Sequence, residues 1–392
     1  MASTSPGTSD RAGEFRLVTT GDESYWVFHP RALPPRPALA VEPLQELADR
    51  ANQALGRLDG ITLLLPNPDQ FLYSYIRKEA VLSAQIEGTQ SSLSELLLFE
   101  HEDAPGVPRR EVAEPLNYVQ AMAHGLARVE GGFPLSSRLL REIHGVLVSD
   151  ARGGHMAPGE FRTTQNWIGG TRPGNARFVP PPPRDVVPAM SDLERFLHDQ
   201  PAQTPILLKA ALAHAQFETI HPFLDGNGRL GRLLVTLLLC AEARVLSRPL
   251  LYLSLYLKRN RDEYYERLQR VRTHGEWEEW VRFFLEGVID VAASATDTTR
   301  RLVEIVDRDR RRIQSLGRAA ASAARLHEIV VEEIVFRIPE AARRLESNEV
   351  TVGNAARNLE QLGIIRETTG RRRNKRFVYS DYLAIIEEGT AE

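Results

Sequence analysis

His221-Pro222-Phe223-Leu224-Asp225-Gly226-Asn227-Gly228-Arg229-Leu230-Gly231-Arg232 is the stretch on which the reading of this chain turns. Upstream of it, Pro205 to Ile220 carries Ala and Leu at helical spacing, and Pro222 disfavours continuation of the helix through His221. The imidazole therefore stands at a helix end, facing a loop. Downstream, Leu230, Leu233, Leu234, Leu237 and Leu238 form a wide apolar stripe, which predicts a buried helix starting near Arg229 with its N-terminus pointing back at that loop.

Gly226 and Gly228 can adopt backbone angles that converge several N–H groups on one point, and the helix N-terminus behind them adds partial positive charge. Such a cradle suits phosphate oxygens. Asp225 offers a carboxylate oxygen suited to Mg²⁺, which keeps several waters and takes further ligands from substrate phosphates. Arg229 and Arg232 share one face in the first helical turn, where a cation opposes the helix dipole at a cost of about 0.3–1 kcal/mol each. An anionic ligand reverses that sign, since guanidinium binds phosphate bidentately. His221, neutral near pH 7, can accept a proton from a hydroxyl.

These twelve residues resemble the signature of the Fic family, HxFx(D/E)GNGRxxR, with every fixed position filled. The resemblance implies transfer of AMP from ATP to a Ser, Thr or Tyr hydroxyl of a target protein. His221 would then be the base, Asp225 the Mg²⁺ ligand, and Gly226, Asn227 and Gly228 the anion hole, with Arg229, Leu230, Gly231 and Arg232 completing the nucleotide site. In the related Doc branch, which phosphorylates its target, Lys replaces the second glycine of the cradle. Gly228 thus favours nucleotidyl transfer.

A second motif, Ser83-Ala84-Gln85-Ile86-Glu87-Gly88, ends a helical pattern beginning near Phe71, and Ser92-Leu93-Ser94-Glu95 then opens another helix with a capping box. Ser83 and Glu87 share a face, and Gly88 is a C-terminal stop. Glu87 opposes the dipole at that end, as Arg232 does at the other. Two mis-set charges of opposite sign predict an ion pair across the place where a γ-phosphate belongs. The motif resembles the family's inhibitory (S/T)xxxE(G/N) sequence, placed N-terminal to the core as in class II members. By the same resemblance, Glu87 could also position water for removal of AMP.

The fold class read from these patterns is mainly α: a Fic-type helical core with a small β-hairpin flap, plus a C-terminal winged helix-turn-helix. Residues 1–14 read as a disordered leader, 15–111 as an N-terminal helical region carrying the inhibitory helix, and 112–288 as the core. A connecting helix is expected over 289–320 and the winged helix over 321–392. Phe161–Gly170 and Phe178–Pro181 flank a Gly/Pro-rich turn and predict the hairpin. By resemblance Trp167, Ile168, Gly169, Phe178 and Val179 form a flap that receives an extended target segment by strand addition. Tyr264 and Tyr265 resemble the family's adenine pocket; packing of one of them into the core is the alternative.

At 392 residues with 42% hydrophobic content, two or three domains can each bury a core. A net charge of −3 points overall to neither nucleic acid nor membrane, and the lone Cys240 excludes an internal disulfide. With no signal or spanning segment in the pattern, a cytoplasmic protein is expected. The Arg308–Arg312 run reads as a solvated helix face and is compatible with a homodimer contact.

In the last region three helices precede two strand-prone runs, Ile364–Glu367 and Arg376–Tyr379, around a basic turn, the pattern of a winged helix. In that reading Thr351, Asn354, Arg357 and Asn358 would face the major groove of duplex DNA, and Arg371, Arg372, Arg373 and Lys375 its phosphates. Protein docking is the competing role for the same module. Three functions follow: an autoinhibited protein adenylyltransferase, a nucleotide-sensing DNA-binding regulator, and a transferase with other phosphate chemistry. A base at position 221 favours the first, because sensing needs none.

Overall fold

The computed structural model describes residues 9–62, 68–100, 109–149, 157–242, 245–370 and 375–390. Its first element departs from the helical N-terminal region expected from sequence. β1 (Gly13–Thr20) and β2 (Glu23–Pro30) form an antiparallel hairpin, with Phe15 opposite Phe28 and Leu17 opposite Trp26. The aromatic and β-branched run Tyr25-Trp26-Val27-Phe28 carries that signal. Phe28 and Val27 are buried, and the Phe28 N–H donates to the Val179 carbonyl at 3.0 Å. Residues 9–14 are likewise held: Arg11 pairs with Glu278 at 2.7 Å and donates to the Gly275 carbonyl.

Helices follow where the apolar periodicity places them. α1 (Gln45–Thr62) buries Ala48, Ala51, Leu55 and Leu58, spaced three and four apart. α2 (Pro68–Ile86) ends at Gly88, whose φ of 96° provides the left-handed stop. α3 (Leu93–Glu100) opens with the expected capping box, Glu95 accepting from the Ser92 N–H at 2.8 Å. α4 (Arg109–Glu130) and α5 (Ser137–Leu147) pack together, and α2 lies against α4. After α6 (Pro183–Leu197), α7 (Ile206–Ile220) runs through the centre, with nearly every side chain buried.

α8 (Asn227–Leu237) packs against α7 and closes in a π-helical turn at Leu238–Glu242. α9 (Ser254–Arg259) and α10 (Arg261–His274) follow. α11 (Trp277–Gln314) then spans 38 residues without a break, about 57 Å at 1.5 Å per residue. Core and connecting helix are thus one element, along which α1 packs.

The C-terminal part comprises α12 (Ala320–Glu333), β3 (Val335–Arg337), α13 (Ile338–Arg344), α14 (Glu349–Gln361), β4 (Ile365–Glu367), β5 (Arg376–Tyr379) and α15 (Ser380–Glu387). β5 is the middle strand of a three-stranded antiparallel sheet, β3-β5-β4. The sequence pattern predicts β4 and β5; β3 is only three residues and gains its identity from pairing Val335 with Val378. Arg310 and Arg311 are exposed, as a solvated face requires, while their neighbours turn toward a buried carboxylate. Arg308 and Arg312 pair with the fully buried Asp309 at 2.9 and 3.2 Å, and Asp309 also accepts the Tyr379 hydroxyl at 2.8 Å.

Candidate active site

α7 and α8 present their facing ends to one loop, and the α7 end is satisfied from elsewhere in the chain. The last turn of α7 has carbonyls without helical partners. Arg272 of α10 donates to the Glu218 carbonyl at 3.1 Å and to Thr219 Oγ1, while Arg162 donates to the His221 carbonyl at 2.9 Å. Cations at a helix C-terminus also complement its dipole. His221 caps the helix with φ 49° and ψ 60°, a left-handed conformation uncommon outside glycine. Burial, with Arg272 and Arg162 repelling a proton, pushes its imidazole down to about 3, so the ring is neutral.

The loop is closed by Asn227, whose side chain accepts from the Phe223 N–H at 2.9 Å and donates to the Phe223 carbonyl at 2.8 Å. The Asn227 amide group is therefore spent on the loop, and only its main-chain N–H is left for a ligand. The first intrahelical bond of α8 runs from the Leu230 N–H to the Gly226 carbonyl. The N–H groups of Asn227, Gly228 and Arg229 precede it and have no partner within the helix. Gly226, at φ 76°, turns the chain into this arrangement.

His144, a residue the sequence pattern does not single out, anchors the loop to α5. Its Nδ1 accepts from the Gly159 N–H at 2.9 Å, so Nε2 carries the proton and donates to the Asp225 carbonyl at 3.0 Å. The ring stacks on Phe223, and burial pushes it down to about 4. The Asp225 carboxylate stays 44% exposed and lies 3.3 Å from Arg229. A half-open single carboxylate beside a phosphate cradle fits a Mg²⁺ ligand.

Both arginines are buried. Arg229 lies 3.5 Å from Glu114 of α4, which also accepts the Thr89 hydroxyl just beyond α2 at 2.6 Å. Arg232 donates to Ser83 Oγ at 2.8 Å, to the Ser83 carbonyl at 2.9 Å and to Glu87 Oε1 at 2.8 Å. Burial works against its charge, but Glu87, Tyr264, Tyr265 and Glu218 hold the guanidinium above its ordinary range. Nη1 of Arg232, and Nε and Nη1 of Arg229, are buried without a hydrogen-bond acceptor. Cationic donors so placed fit an incoming polyanion.

One turn of α2 further back, Glu79 fixes the helix that delivers Glu87. It is buried, accepts from the Ser254 N–H at 3.1 Å and from the Tyr118 hydroxyl at 3.3 Å, and burial pushes it up to about 7. Glu79, Ser83 and Glu87 succeed one another at four-residue intervals, hence on one face. Beyond the helix end, Arg261 donates to the Ile86 carbonyl at 3.1 Å.

Other sequence-derived residues are distributed differently from expectation. Leu230 is in the hydrophobic core, and Gly231 faces α7, its carbonyl accepting His214 Nδ1–H at 2.9 Å. Tyr264 is 1% exposed and its hydroxyl bonds His214 Nε2, so its ring is core; Tyr265, partly buried, lies beside Arg261 and near Glu87. The flap is reduced to one bridge, Ile168 to Phe178, with Trp167 exposed. Phe178 and Val179 are buried, and Phe28 of β2 already occupies the Val179 carbonyl, so that side of the flap is not a free edge. Asn354 and Arg357 are exposed on α14, Thr351 half-exposed; Arg371, Arg372 and Arg373 lie outside the described residues.

Family models match in two places, the Fic/DOC family N-terminal region at residues 45–127 and the Fic/DOC family domain at 134–239. A protein from Drosophila yakuba named Protein adenylyltransferase Fic is 37% identical over 139 residues, 34% of this chain and 25% of that protein. A Culex quinquefasciatus protein of the same name is 37% identical over 140 residues. The chain thus spans about a quarter of the length of these curated relatives. A Fic family protein from Desulfovibrio desulfuricans G20 superposes with a TM-score of 0.57 at 21% identity, covering 88% of this chain and 98% of that one. A Fic domain-containing signaling protein from Bacteroides thetaiotaomicron VPI-5482 superposes at 0.51 and 18% identity, over 64% and 97%. The helix arrangement agrees with these matches: residues 45–127 and 134–239 carry the two regions that the Fic/DOC family models describe.

Proposed function

We infer that the chain transfers AMP from ATP to a hydroxyl of a target protein and that Glu87 holds it in a restrained state. The observation that carries this reading is the convergence, on one loop, of a neutral imidazole, unpartnered N–H groups at the start of α8 and two buried guanidiniums with unused donors. His221 takes the proton from the target hydroxyl, whose oxygen bonds to the α-phosphorus as the bond to the bridging oxygen breaks and pyrophosphate leaves. The N–H groups of Asn227 to Arg229 stabilise the charge that gathers on the phosphate oxygens. Arg232 and Arg229 are the holders of the outer phosphates. Asp225 would hold Mg²⁺, which supplies charge neutralisation on the phosphates.

Restraint follows from occupancy. Glu87 Oε1 lies 2.8 Å from Arg232, on the guanidinium that a γ-phosphate would use. ATP labelled at the α-position, offered to the wild type, Glu87→Gly and His221→Ala, tests the reading. Label transferred covalently by Glu87→Gly and lost in His221→Ala supports it; tight binding without transfer supports a nucleotide sensor, and transfer of γ-label a kinase-like reaction. For the C-terminal part, the order α12, β3, α13, α14, β4, β5 supports a winged-helix reading, with the exposed face of α14 available to DNA or protein.

No helix among the described residues is long and apolar enough to cross a membrane.

A further inference from the structure

A low proton affinity suits His221 poorly as a base, and the structure places a compensating group beside it. Glu218, one turn earlier on α7, is 5% exposed, and its Oε2 stands 3.9 Å from His221 Nδ1. Two atoms here are buried without a hydrogen-bond partner: His221 Nδ1 and Glu218 Oε1. Space for the carboxylate is made by a glycine. A β-carbon on Gly231 would lie 2.7 Å from Glu218 Oε1. The carboxylate therefore sits under the cradle, between α7 and α8, with its charged surroundings defined: Arg232 from α8, Arg272 and Tyr264 from α10, and Glu87 from α2.

We propose that Glu218 is the positioning residue of the base: it accepts the proton on His221 Nδ1, leaves Nε2 bare toward the target hydroxyl, and offsets the positive charge that the imidazole acquires. This rests on the AMP-transfer reading. A rotation that shortens the 3.9 Å separation to hydrogen-bond length completes the contact. The logic is that of any carboxylate behind a catalytic imidazole, fixing the tautomer and stabilising the imidazolium. It also links the base to the restraint. Glu87 and Glu218 are like charges flanking Arg232, and burial with Glu87 nearby pushes Glu218 up to about 7, against ionisation.

The test uses the full chain carrying Glu87→Gly, with and without Glu218→Gln, which keeps shape and removes charge, and Glu218→Asp, which keeps charge. In Glu218→Gln, kcat for α-label transfer falls at least roughly tenfold, the acid limb of its pH profile moves to lower pH, and ATP affinity by calorimetry is unchanged. Glu218→Asp recovers part of kcat. Unchanged kcat and pH profile in Glu218→Gln, or loss of ATP affinity in step with kcat, overturns the proposal. Nitrogen NMR of His221 in the Glu87→Gly chain supplies a readout independent of turnover. A proton on Nδ1 supports it, and a proton on Nε2 overturns it even if AMP transfer itself is not observed.

Discussion

Glu87 and Gly228 are so close that a β-carbon at position 228 would lie 2.2 Å from Glu87 Oε1. In the proposed reading, the glycine that would let phosphate approach the cradle is also the glycine over which the restraining carboxylate lies, so one surface would serve two mutually exclusive anions. Which one occupies it depends on how firmly α2 holds Glu87 there.

Replacing Glu87 by Gly removes one of three hydrogen bonds that Arg232 donates and leaves the two that Ser83 accepts. ATP-dependent self-labelling should rise several-fold or more, measured by incorporation of α-label, while the melting temperature shifts little because the carboxylate is 36% exposed. Unchanged labelling removes Glu87 from any restraining role.

Gly228→Ala separates the two functions of that glycine. The added methyl displaces Glu87, yet it also fills the cradle, so the substitution should not release activity as Glu87→Gly does. In a Glu87→Gly background it should lower ATP affinity at least roughly tenfold, a loss of about 1.4 kcal/mol. Calorimetry with ATP reads this directly.

Gln85 ties the end of α2 to the C-terminal segment, donating to the Ser91 carbonyl at 2.9 Å and to the Thr390 carbonyl at 3.1 Å, and accepting from Lys258 at 2.8 Å. Nearby, Lys78 donates to the Glu388 carbonyl at 2.8 Å. Gln85→Ala loosens this attachment by hydrogen bonds worth about 0.5–1.5 kcal/mol each. Self-labelling should increase, by less than in Glu87→Gly, and the two substitutions together should exceed Glu87→Gly by little.

Four buried histidines make the fold acid-sensitive. Burial pushes His144, His214 and His327 down to about 4 and His221 to about 3. Unfolded, each binds a proton near pH 6.5, so the unfolded state holds more protons between there and about pH 4. Their contribution is whole above pH 6.5 and is lost as pH falls toward 4. Glu79 and Glu218, raised to about 7, act oppositely, losing their contribution as pH rises from the ordinary carboxylate range through 7. His327 Nε2 has no hydrogen-bond partner, so His327→Phe should flatten the acid limb of a melting-temperature profile. An unaltered limb contradicts the assignment.

Much of the site is legible locally. The αα arrangement, the stop at Gly88, the cradle and the pairing of Glu87 with Arg232 all follow from periodicity, glycine placement and charges set against their own helix dipoles. Those signals sit within a few turns of the residues they describe. The supports do not. Arg162, Arg272, His144, Glu114 and Glu79 act through bonds to residues 25 to 175 positions away, and nothing in their immediate neighbours marks them.

Chain order alone settled that an imidazole, a carboxylate, an anion cradle and two arginines share one helix–loop–helix, because spacing within a helix fixes which side chains share a face. Packing decided the rest. It sent Tyr264 to the core, turned Asn227 inward, paired Phe28 with Val179 beside the flap, and set Glu218 behind His221, since burial and strand pairing are settled by whichever distant segment arrives at that surface.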